Sequence, residues 1–311
     1  MANEAARGPY HEGELEVQRR AGVAAMASKI GRGIHPEIQR GADEFLAEQT
    51  FAVIASRDAA GRVWSSLLTG PLGFLDASDP HTLAVRASVA PSDPLRDTLV
   101  YGAQVGLIAI DFATRHRYRV NGRVATVSAG GFVLDVAQAY GNCPKYIQKR
   151  ELGATARTAG SAREVARGST LSDAQRAWIA GADTFFVATA HPEQGADASH
   201  RGGDPGFVRV VDPAHLVWPD YSGNTMFQTL GNLAVNPACG LLFPDFTRGA
   251  TLQITGEARV VWDEDEARLV PGAERLVAFS VAAAIETEGV LPVGWSGPQR
   301  SPFNPRRVHP R

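Results

Sequence analysis

A polar loop at residues 218–237 carries the side chains best suited to hold a ligand. Its sequence, WPDYSGNTMFQTLGNLAVNP, places Asn224, Thr229 and Asn232 around the predicted start of a helix. Unpaired N–H groups at a helix start, together with neutral amide and hydroxyl donors, suit a phosphate group. Helix capping and turn formation are the alternative role for Ser222 and Asn224, but they do not explain amides further along the helix. The loop therefore predicts a site for a phosphate-bearing ligand.

A second polar segment, ASHRGGDPG at residues 198–206, ends a predicted strand. His200 and Arg201 could bind a phosphate or a ring carbonyl, and Gly202 would let the backbone approach a ligand closely. The alternative is a solvated turn after an edge strand. The segment adds a cation and a donor to the set of candidate binding groups.

Arginines are concentrated in the run DFATRHRYRVNGR. In a strand, Arg115, Arg117, Arg119 and Arg123 would share one face. That face is either a surface strand with alternating charge or a source of cations for an anionic ligand. Nearby, Cys143 could be a reactive thiol at a predicted helix start, although a lone cysteine more often packs in the interior.

The elements that position these groups come from two related halves. Shared residues recur 134 positions apart: the pairs are Phe51 and Phe185, Val53 and Val187, Gly61 and Gly195, Ser65 and Ser199, Gly106 and Gly240, Leu107 and Leu241, Asp111 and Asp245, Phe112 and Phe246, and Gly122 and Gly256. Two copies of one module predict a pseudo-two-fold molecule in which a site at the join uses both copies.

The two copies differ at the polar segments. The positions that match residues 221–229 read ASVAPSDPL, and those that match residues 199–203 read SSLLT. The first copy therefore lacks both the amide cluster and the His-Arg-Gly-Gly run. This difference predicts one ligand site per chain, built chiefly on the second copy.

Each copy has about six short strands with Gly and Asp turns, which predicts a small antiparallel barrel rather than a doubly wound parallel sheet. In the first copy DPLRDTLVYG and NCPKYIQKRELG predict helices. The predicted organisation is a helical N-terminal extension (1–35), a first module (36–152), a linker (153–170), a second module (171–290) and an irregular tail (291–311).

The bulk composition excludes several classes of function. The 311 residues carry a formal net charge of −2, which predicts no general attraction to nucleic acid or to anionic membranes. The two cysteines lack zinc-ligand spacing, and no metal site is predicted. No apolar targeting segment or membrane span is evident, so the sequence predicts a cytoplasmic protein. Walker, GxGxxG, HExxH and GxSxG motifs are also missing from the sequence.

Taken in order, these motifs resemble the FMN-binding split β-barrel of the pyridoxamine 5′-phosphate oxidase-like proteins. In the second module the resemblance lies in GFVRVVDPAHLVWPDYSGNTMFQTLGNLAVNPACGLLFPDF and the following TLQITGEARV. In the first module it lies in ASRDAAGRVWSS, VGLIAIDF, RYRVNGRV and NCPKYI. It covers about residues 40–265 and implies a mainly β (α+β) protein, in which two tandem FMN-binding split-barrel modules form an intrachain pseudo-dimer.

The resemblance also implies which residues surround FMN. They are Ser199, His200, Arg201, Gly202, Trp218, Pro219, Asp220 and Tyr221 beside the flavin, Asn224, Thr229 and Asn232 in the loop near its phosphate, and Arg117 from the opposite barrel. Two features depart from true pyridoxamine phosphate oxidases: neutral residues replace the basic pair after the loop, and their C-terminal substrate-binding segment has no counterpart. Flavin binding is therefore expected, and vitamin B6 oxidation is not.

The leading hypothesis is an FMN-dependent oxidoreductase that transfers electrons or hydride to a small molecule. No catalytic side chain is assigned, and a reductase or a nicotinamide cofactor would supply electrons. A homodimer of the chain is compatible with the family. The alternatives are a non-catalytic flavin or haem carrier that works with a redox partner, and an interaction protein without a cofactor.

Overall fold

The computed structural model describes residues 8–157 and 159–306, apart from the side chains of residues 154 and 155. Residues 1–7 of the predicted extension, residue 158 of the predicted linker and residues 307–311 of the predicted tail lie outside the described residues.

The helices and strands are numbered along the chain. The first half contains α1 (Glu12–Arg20), α2 (Ala24–Ile30), a 3-10 turn (Gly31–Gly33), α3 (Ala42–Ala47), β1 (Phe51–Arg57), β2 (Val63–Thr69), β3 (Leu75–Asp76), β4 (Thr82–Val85), β5 (Gln104–Asp111), β6 (His116–Ser128) and β7 (Gly131–Gly141). The second half contains β8 (Leu152–Arg157), β9 (Arg163–Gly168), α4 (Asp173–Gly181), β10 (Thr184–His191), β11 (Gly195–Gly202), β12 (Arg209–Asp212), β13 (His215–Tyr221), α5 (Gln228–Val235), β14 (Ala238–Asp245), β15 (Ala250–Val261), α6 (Glu264–Arg268), β16 (Ala273–Glu288) and β17 (Val293–Trp295).

The two modules have the same strand order. The first sheet runs β2-β1-β5-β6-β7-β4-β3, and the second runs β11-β10-β14-β15-β16-β13-β12. The mainly β architecture with two tandem modules is therefore confirmed. The segment predicted as a linker is more ordered than expected, because β9 extends the second sheet along β16 and β8 pairs with β17 of the tail. In the described part of the chain, none of the helices has the length and apolar character needed to cross a membrane.

Two predicted helices of the first module do not form. Residues 93–102 make a series of turns, because the Asp93 carboxylate points inward and accepts hydrogen bonds from the Leu95 N–H and the Ser66 hydroxyl. After residue 142 the chain adopts a left-handed conformation at Tyr146, where φ is 66°. Cys143 is therefore not at a helix start.

The strand pairing shows that the repeat is not uniform in register. The offset of 134 holds for β5 and β14, since Gly106 pairs with Asn121 as Gly240 pairs with Thr255. It fails for β1 and β10: Ala55 pairs with Gly106, whereas the residue that pairs with Gly240 is Ala188, which is 133 positions later.

This one-residue shift matters because neighbouring residues of a strand face opposite sides of the sheet. Val53 packs between the modules, and so does Phe186, whereas Val187 packs inside its own barrel. The predicted matches of Phe51, Val53, Gly61 and Ser65 to residues 134 positions later are therefore wrong by one residue. By strand pairing Ser65 corresponds to Ala198, so Ser199 corresponds to Ser66.

The three largest apolar clusters among the described residues stabilise the two modules and their contact. One fills each barrel, and the third lies between the barrels and includes Phe112, Phe186 and Phe246. Burial of large aromatic rings on a shared surface is the main source of stability for such an interface. The two modules therefore form one packed pair within a single chain.

Candidate functional site

A cavity of about 400 Å³ lies where the second module meets the first module and the N-terminal extension. Ten of the twelve predicted site residues line it: Arg117, Ser199, His200, Arg201, Gly202, Pro219, Asp220, Tyr221, Asn224 and Thr229. The strand β6 of the first module contributes the arginine, and β11, β13, the loop before α5 and the first turn of α5 contribute the others. The cavity is thus built by both modules, and contact of these residues with a flavin remains a prediction.

Trp218 does not line this cavity. Its side chain is 1% exposed, and its ring lies 5.5 Å from that of Phe185 and 6.1 Å from that of Phe279. Side chains alternate along β13, so Trp218 faces the barrel core together with Leu216. Its role is to support the strand that carries the cavity residues.

Asn232 is also outside the cavity. Its Nδ2 donates to the Thr189 hydroxyl over 3.0 Å, and its Oδ1 lies 3.0 Å from Nε2 of His11. The predicted loop residue therefore joins α5 to β10 and to the N-terminal extension. A strand pattern and a loop sequence could not reveal these long-range contacts.

Arg117 and His200 form a contact between the modules that fixes the state of the histidine. Nη1 of Arg117 lies 3.1 Å from Nδ1 of His200. Because a guanidinium can only donate, Nδ1 accepts and Nε2 carries the ring proton. Burial, and then the charge of Arg117, hold the pKa of His200 well below its ordinary value. His200 is therefore neutral, and its buried Nε2–H has no partner among the described residues.

A buried network behind the cavity also crosses between the modules. Arg119 Nη1 donates to both oxygens of Asp197, at 3.1 and 3.3 Å, and the Tyr140 hydroxyl donates to Asp197 Oδ1 over 3.2 Å. The Ser199 hydroxyl donates to Asp197 Oδ2 over 2.9 Å and lies 2.7 Å from the Thr229 hydroxyl. Asp197 is not among the predicted site residues, although a carboxylate within the strand-like run GADASH indicates a buried partner.

The loop before α5 is held in an unusual conformation. Thr225 and Phe227 have φ values of 61° and 62°, which side chains other than glycine rarely adopt. Asn224 Oδ1 accepts from the Met226 N–H over 3.1 Å and so forms a turn rather than a helix cap. α5 begins at Gln228 without a side-chain cap. Such local strain is common where a backbone is shaped to receive a ligand.

The lining of the cavity carries an excess of positive charge. Its cations are Arg20, Arg117, Arg119, Lys145, Arg201 and Arg275, and its carboxylates are Asp220, Glu264 and Glu274. Burial raises the pKa of Asp220, and the nearby charges of Arg201 and Arg275 oppose that rise. An anionic ligand is therefore favoured over a cationic one.

In the first module, a buried carboxyl group lies against the counterparts of two cavity residues, Arg119 and Ser199. Gln253 corresponds to Arg119 in the β6 and β15 register, and its Nε2 donates to Asp93 Oδ2 over 2.9 Å and to Ser66 Oγ over 3.0 Å. The carboxylate of Asp93 is buried, which raises its pKa to about 6. Asp93 thus hydrogen-bonds the counterparts of Arg119 and Ser199, as Asp197 hydrogen-bonds Arg119 and Ser199 themselves.

One group of side chains at the N-terminal extension has the composition of a metal site. Ligand atoms of His11, Glu12 and His191 lie within 4.8 Å of one another. Each imidazole Nδ1 accepts a backbone N–H, from Gly13 and from Glu193 respectively, so each Nε2 carries a proton. A metal ligand needs a free lone pair, and the group is therefore better described as a hydrogen-bonded contact.

The second module matches a known protein family. Residues 171–292 match the family model described as Pyridoxamine 5′-phosphate oxidase. None of the curated proteins matches the chain at a significant level.

Solved structures similar to the chain are each about as long as one module. A single-residue variant of HupZ from Group A Streptococcus is 14% identical, with a TM-score of 0.31, over 37% of this chain and 98% of that one. A protein related to general stress protein 26, of the pyridoxinephosphate oxidase family from Clostridium acetobutylicum, is 11% identical, with a TM-score of 0.29, over 37% and 87%. An FAD-binding protein from Mesorhizobium loti is 14% identical, with a TM-score of 0.28, over 40% and 99%.

Proposed function

We propose that this chain, whose second module belongs to the pyridoxamine 5′-phosphate oxidase family, is a flavoprotein that binds one FMN in the cavity between its modules. The observation that carries the proposal is a set of buried donors that line the cavity without a partner in the described residues: Arg117 Nε, His200 Nε2, Thr225 Oγ1, Gln228 Nε2 and Arg275 Nη1. Leaving a buried donor unpaired costs about 1–3 kcal/mol, so their convergence favours a ligand rich in acceptors.

The arrangement of donors fits the two chemically different parts of a flavin nucleotide. The neutral Nε2–H of His200 and the guanidinium of Arg117 suit carbonyl and ring-nitrogen acceptors, whereas Arg201 and the strained loop suit a phosphate. When bound, the flavin would supply electron or hydride transfer, which no side chain of this site can do alone. The positive charge of Arg117 and Arg201 favours a ligand that becomes more negative on reduction.

The structure of the His200 environment favours a flavin over a haem. Axial ligation of haem iron by histidine needs a nitrogen lone pair. Both nitrogens of His200 are committed, because Nδ1 accepts from Arg117 and Nε2 carries the proton. A small-molecule oxidoreductase and a flavin carrier share the same site, and turnover with a nicotinamide cofactor or a reductase separates them.

The matching strand orders support an internal duplication in which only the second module keeps a ligand site. Absorption spectroscopy of the purified protein, followed by mass spectrometry of the compound released on denaturation, tests this. We expect a flavin spectrum and one FMN per chain. Two FMN molecules per chain would contradict the single site, and a Soret band would indicate haem. A colourless protein that takes up no added FMN would refute the proposal.

Replacing Arg201 with alanine is expected to weaken FMN binding by about 10- to 100-fold, because hydrogen bonds to charged groups contribute about 1.5–3 kcal/mol. Fluorescence titration with FMN measures the dissociation constant. The matched control is Arg209→Ala on β12, whose side chain is exposed and does not line the cavity. Equal affinities for the two variants would show that Arg201 does not contact the ligand.

A further inference from the structure

The N-terminal extension is fastened to the wall of the cavity. α1 packs against α5 so closely that a Cβ atom added at Gly13 would lie 2.2 Å from the carbonyl oxygen of Gly231. Gln18 Nε2 donates to the carbonyl of Met226 over 3.0 Å. Met226 lies between the two loop residues with positive φ, so the extension directly holds the loop that shapes the cavity.

This contact places Arg20 at the cavity. Arg20 is the last residue of α1 and lines the cavity together with Ala21 and Val23. Its guanidinium carbon lies 4.3 Å from the ring centroid of Trp262, the residue that follows β15. Over residues 8–157 and 159–306, no ion pair to a carboxylate is formed by Arg20, so its charge is available to a ligand.

A second guanidinium approaches the same indole. Arg275 in β16 is 5% exposed, and its guanidinium carbon lies 5.3 Å from the Trp262 centroid. Its Nη2 contacts Glu274, and its Nε lies 3.4 Å from Asp220 Oδ2, yet its Nη1 is buried without a hydrogen-bond partner in the described part of the chain. An anion that accepts a hydrogen bond from Nη1 of Arg275 would satisfy this donor.

We propose that Arg20, Arg275 and Trp262 form a subsite for the phosphate-bearing part of a ligand that extends beyond the flavin ring. The inference rests on the proposed flavin site. Guanidinium groups bind phosphate oxygens through paired hydrogen bonds, and cation–π contacts with the Trp262 indole hold both groups at the cavity. The phosphate belongs either to a dinucleotide cofactor or to a separate phosphorylated co-substrate, and the same chemistry serves both.

The variant Arg20→Gln tests the subsite, because Arg20 is exposed and its loss leaves the barrels intact. Riboflavin, FMN and FAD are titrated into the apoprotein, and inorganic pyrophosphate into both the apoprotein and the FMN-loaded protein. We expect the affinity for FAD or for pyrophosphate to fall about tenfold, the scale of one charged hydrogen bond, while riboflavin affinity is unchanged. The matched control is Arg19→Gln, since Arg19 pairs with Glu16 on the surface.

The compounds for which the Arg20→Gln protein loses affinity identify the source of the phosphate. A loss of affinity for FAD, with or without a loss for pyrophosphate, assigns the subsite to the cofactor. A loss of affinity for pyrophosphate alone assigns it to a co-substrate. Identical affinities of the Arg20→Gln and Arg19→Gln proteins for all four compounds would overturn the inference. Failure of the unchanged protein to bind any flavin would instead overturn the proposed function, and the pyrophosphate titration of the apoprotein would still decide the subsite.

A second variant tests whether the extension places Arg20. Valine at residue 13 cannot fit against the Gly231 backbone, so Gly13→Val is expected to detach α1 and reproduce the loss caused by Arg20→Gln. Gly8→Val is the control, because a side chain there would meet nothing within 4 Å. Wild-type affinity for FAD and pyrophosphate in the Gly13→Val protein would show that Arg20 does not depend on this contact.

Discussion

Replacing Arg119 with methionine is expected to lower the free energy of unfolding by about 3–5 kcal/mol, the usual cost of removing one partner of a buried ion pair. Arg119 and Asp197 are 5% and 2% exposed, and they belong to different modules. Methionine fills similar space but leaves the carboxylate with hydroxyl partners only, from Tyr140 and Ser199. Equilibrium urea denaturation at neutral pH measures the change.

The matched control for this prediction is a surface ion pair. Arg163 pairs with Glu288 over 2.9 Å, but its side chain is 69% exposed, and such pairs contribute about 0–1 kcal/mol. A small and equal effect of Arg119→Met and Arg163→Met would mean that the Arg119–Asp197 pair does not stabilise the junction. The double variant Arg119→Met/Asp197→Asn should recover part of the loss, because the uncompensated charge is then removed.

The sequence predicted the architecture well where hydrophobic patterns determine the fold. It predicted local structure poorly where a single side chain determines the backbone conformation or the strand register. The two-module organisation followed from residues shared by β5, β6, β14 and β15, whose registers agree. The match of β1 with β10 was wrong by one residue because an ungapped alignment cannot detect a change in strand pairing. The helix predicted after Asp93 failed because that carboxylate is buried, which a local propensity does not reveal.

The candidate site was predicted in outline. A cluster of polar residues in the second module did identify the strand and loop that line the cavity. The sequence could not identify Arg20 or Arg275, because these residues reach the cavity from distant parts of the chain. It also assigned Trp218 to the site, although strand alternation directs that ring into the core.

The two modules differ in the buried side chains around Ser199 and around its counterpart, Ser66. In the second module Ser199 hydrogen-bonds Asp197, whose charge is balanced by Arg119. In the first module the equivalent serine, Ser66, meets Asp93 and the neutral Gln253. With a glutamine in place of the arginine, Asp93 forms no ion pair within the described part of the chain, and burial raises its pKa to about 6. Strand order is shared, and the polarity of a few buried positions distinguishes the modules.

Adding one methyl group at Gly106 is expected to destabilise the pair of modules by about 1–3 kcal/mol, the usual cost of overpacking. A Cβ atom there would lie 2.6 Å from both the carbonyl oxygen of Ala196 and the Cα of Asp197, which belong to the opposite module. Because the atoms in contact belong to the backbone of β11, they can move away only if β5 and β11 separate. Gly240→Ala should have a similar effect, because its Cβ would lie 2.7 Å from the Cα of Trp64.

The control for the Gly106 variant is Gly141→Ala, at the end of β7, where an added Cβ would meet nothing within 4 Å. Both substitutions reduce the conformational freedom of the unfolded chain equally, so the difference between them isolates the contact between the modules. Urea denaturation of the two variants measures that difference. A midpoint for Gly106→Ala at or above that of Gly141→Ala would show that the modules are not held in backbone contact at this point.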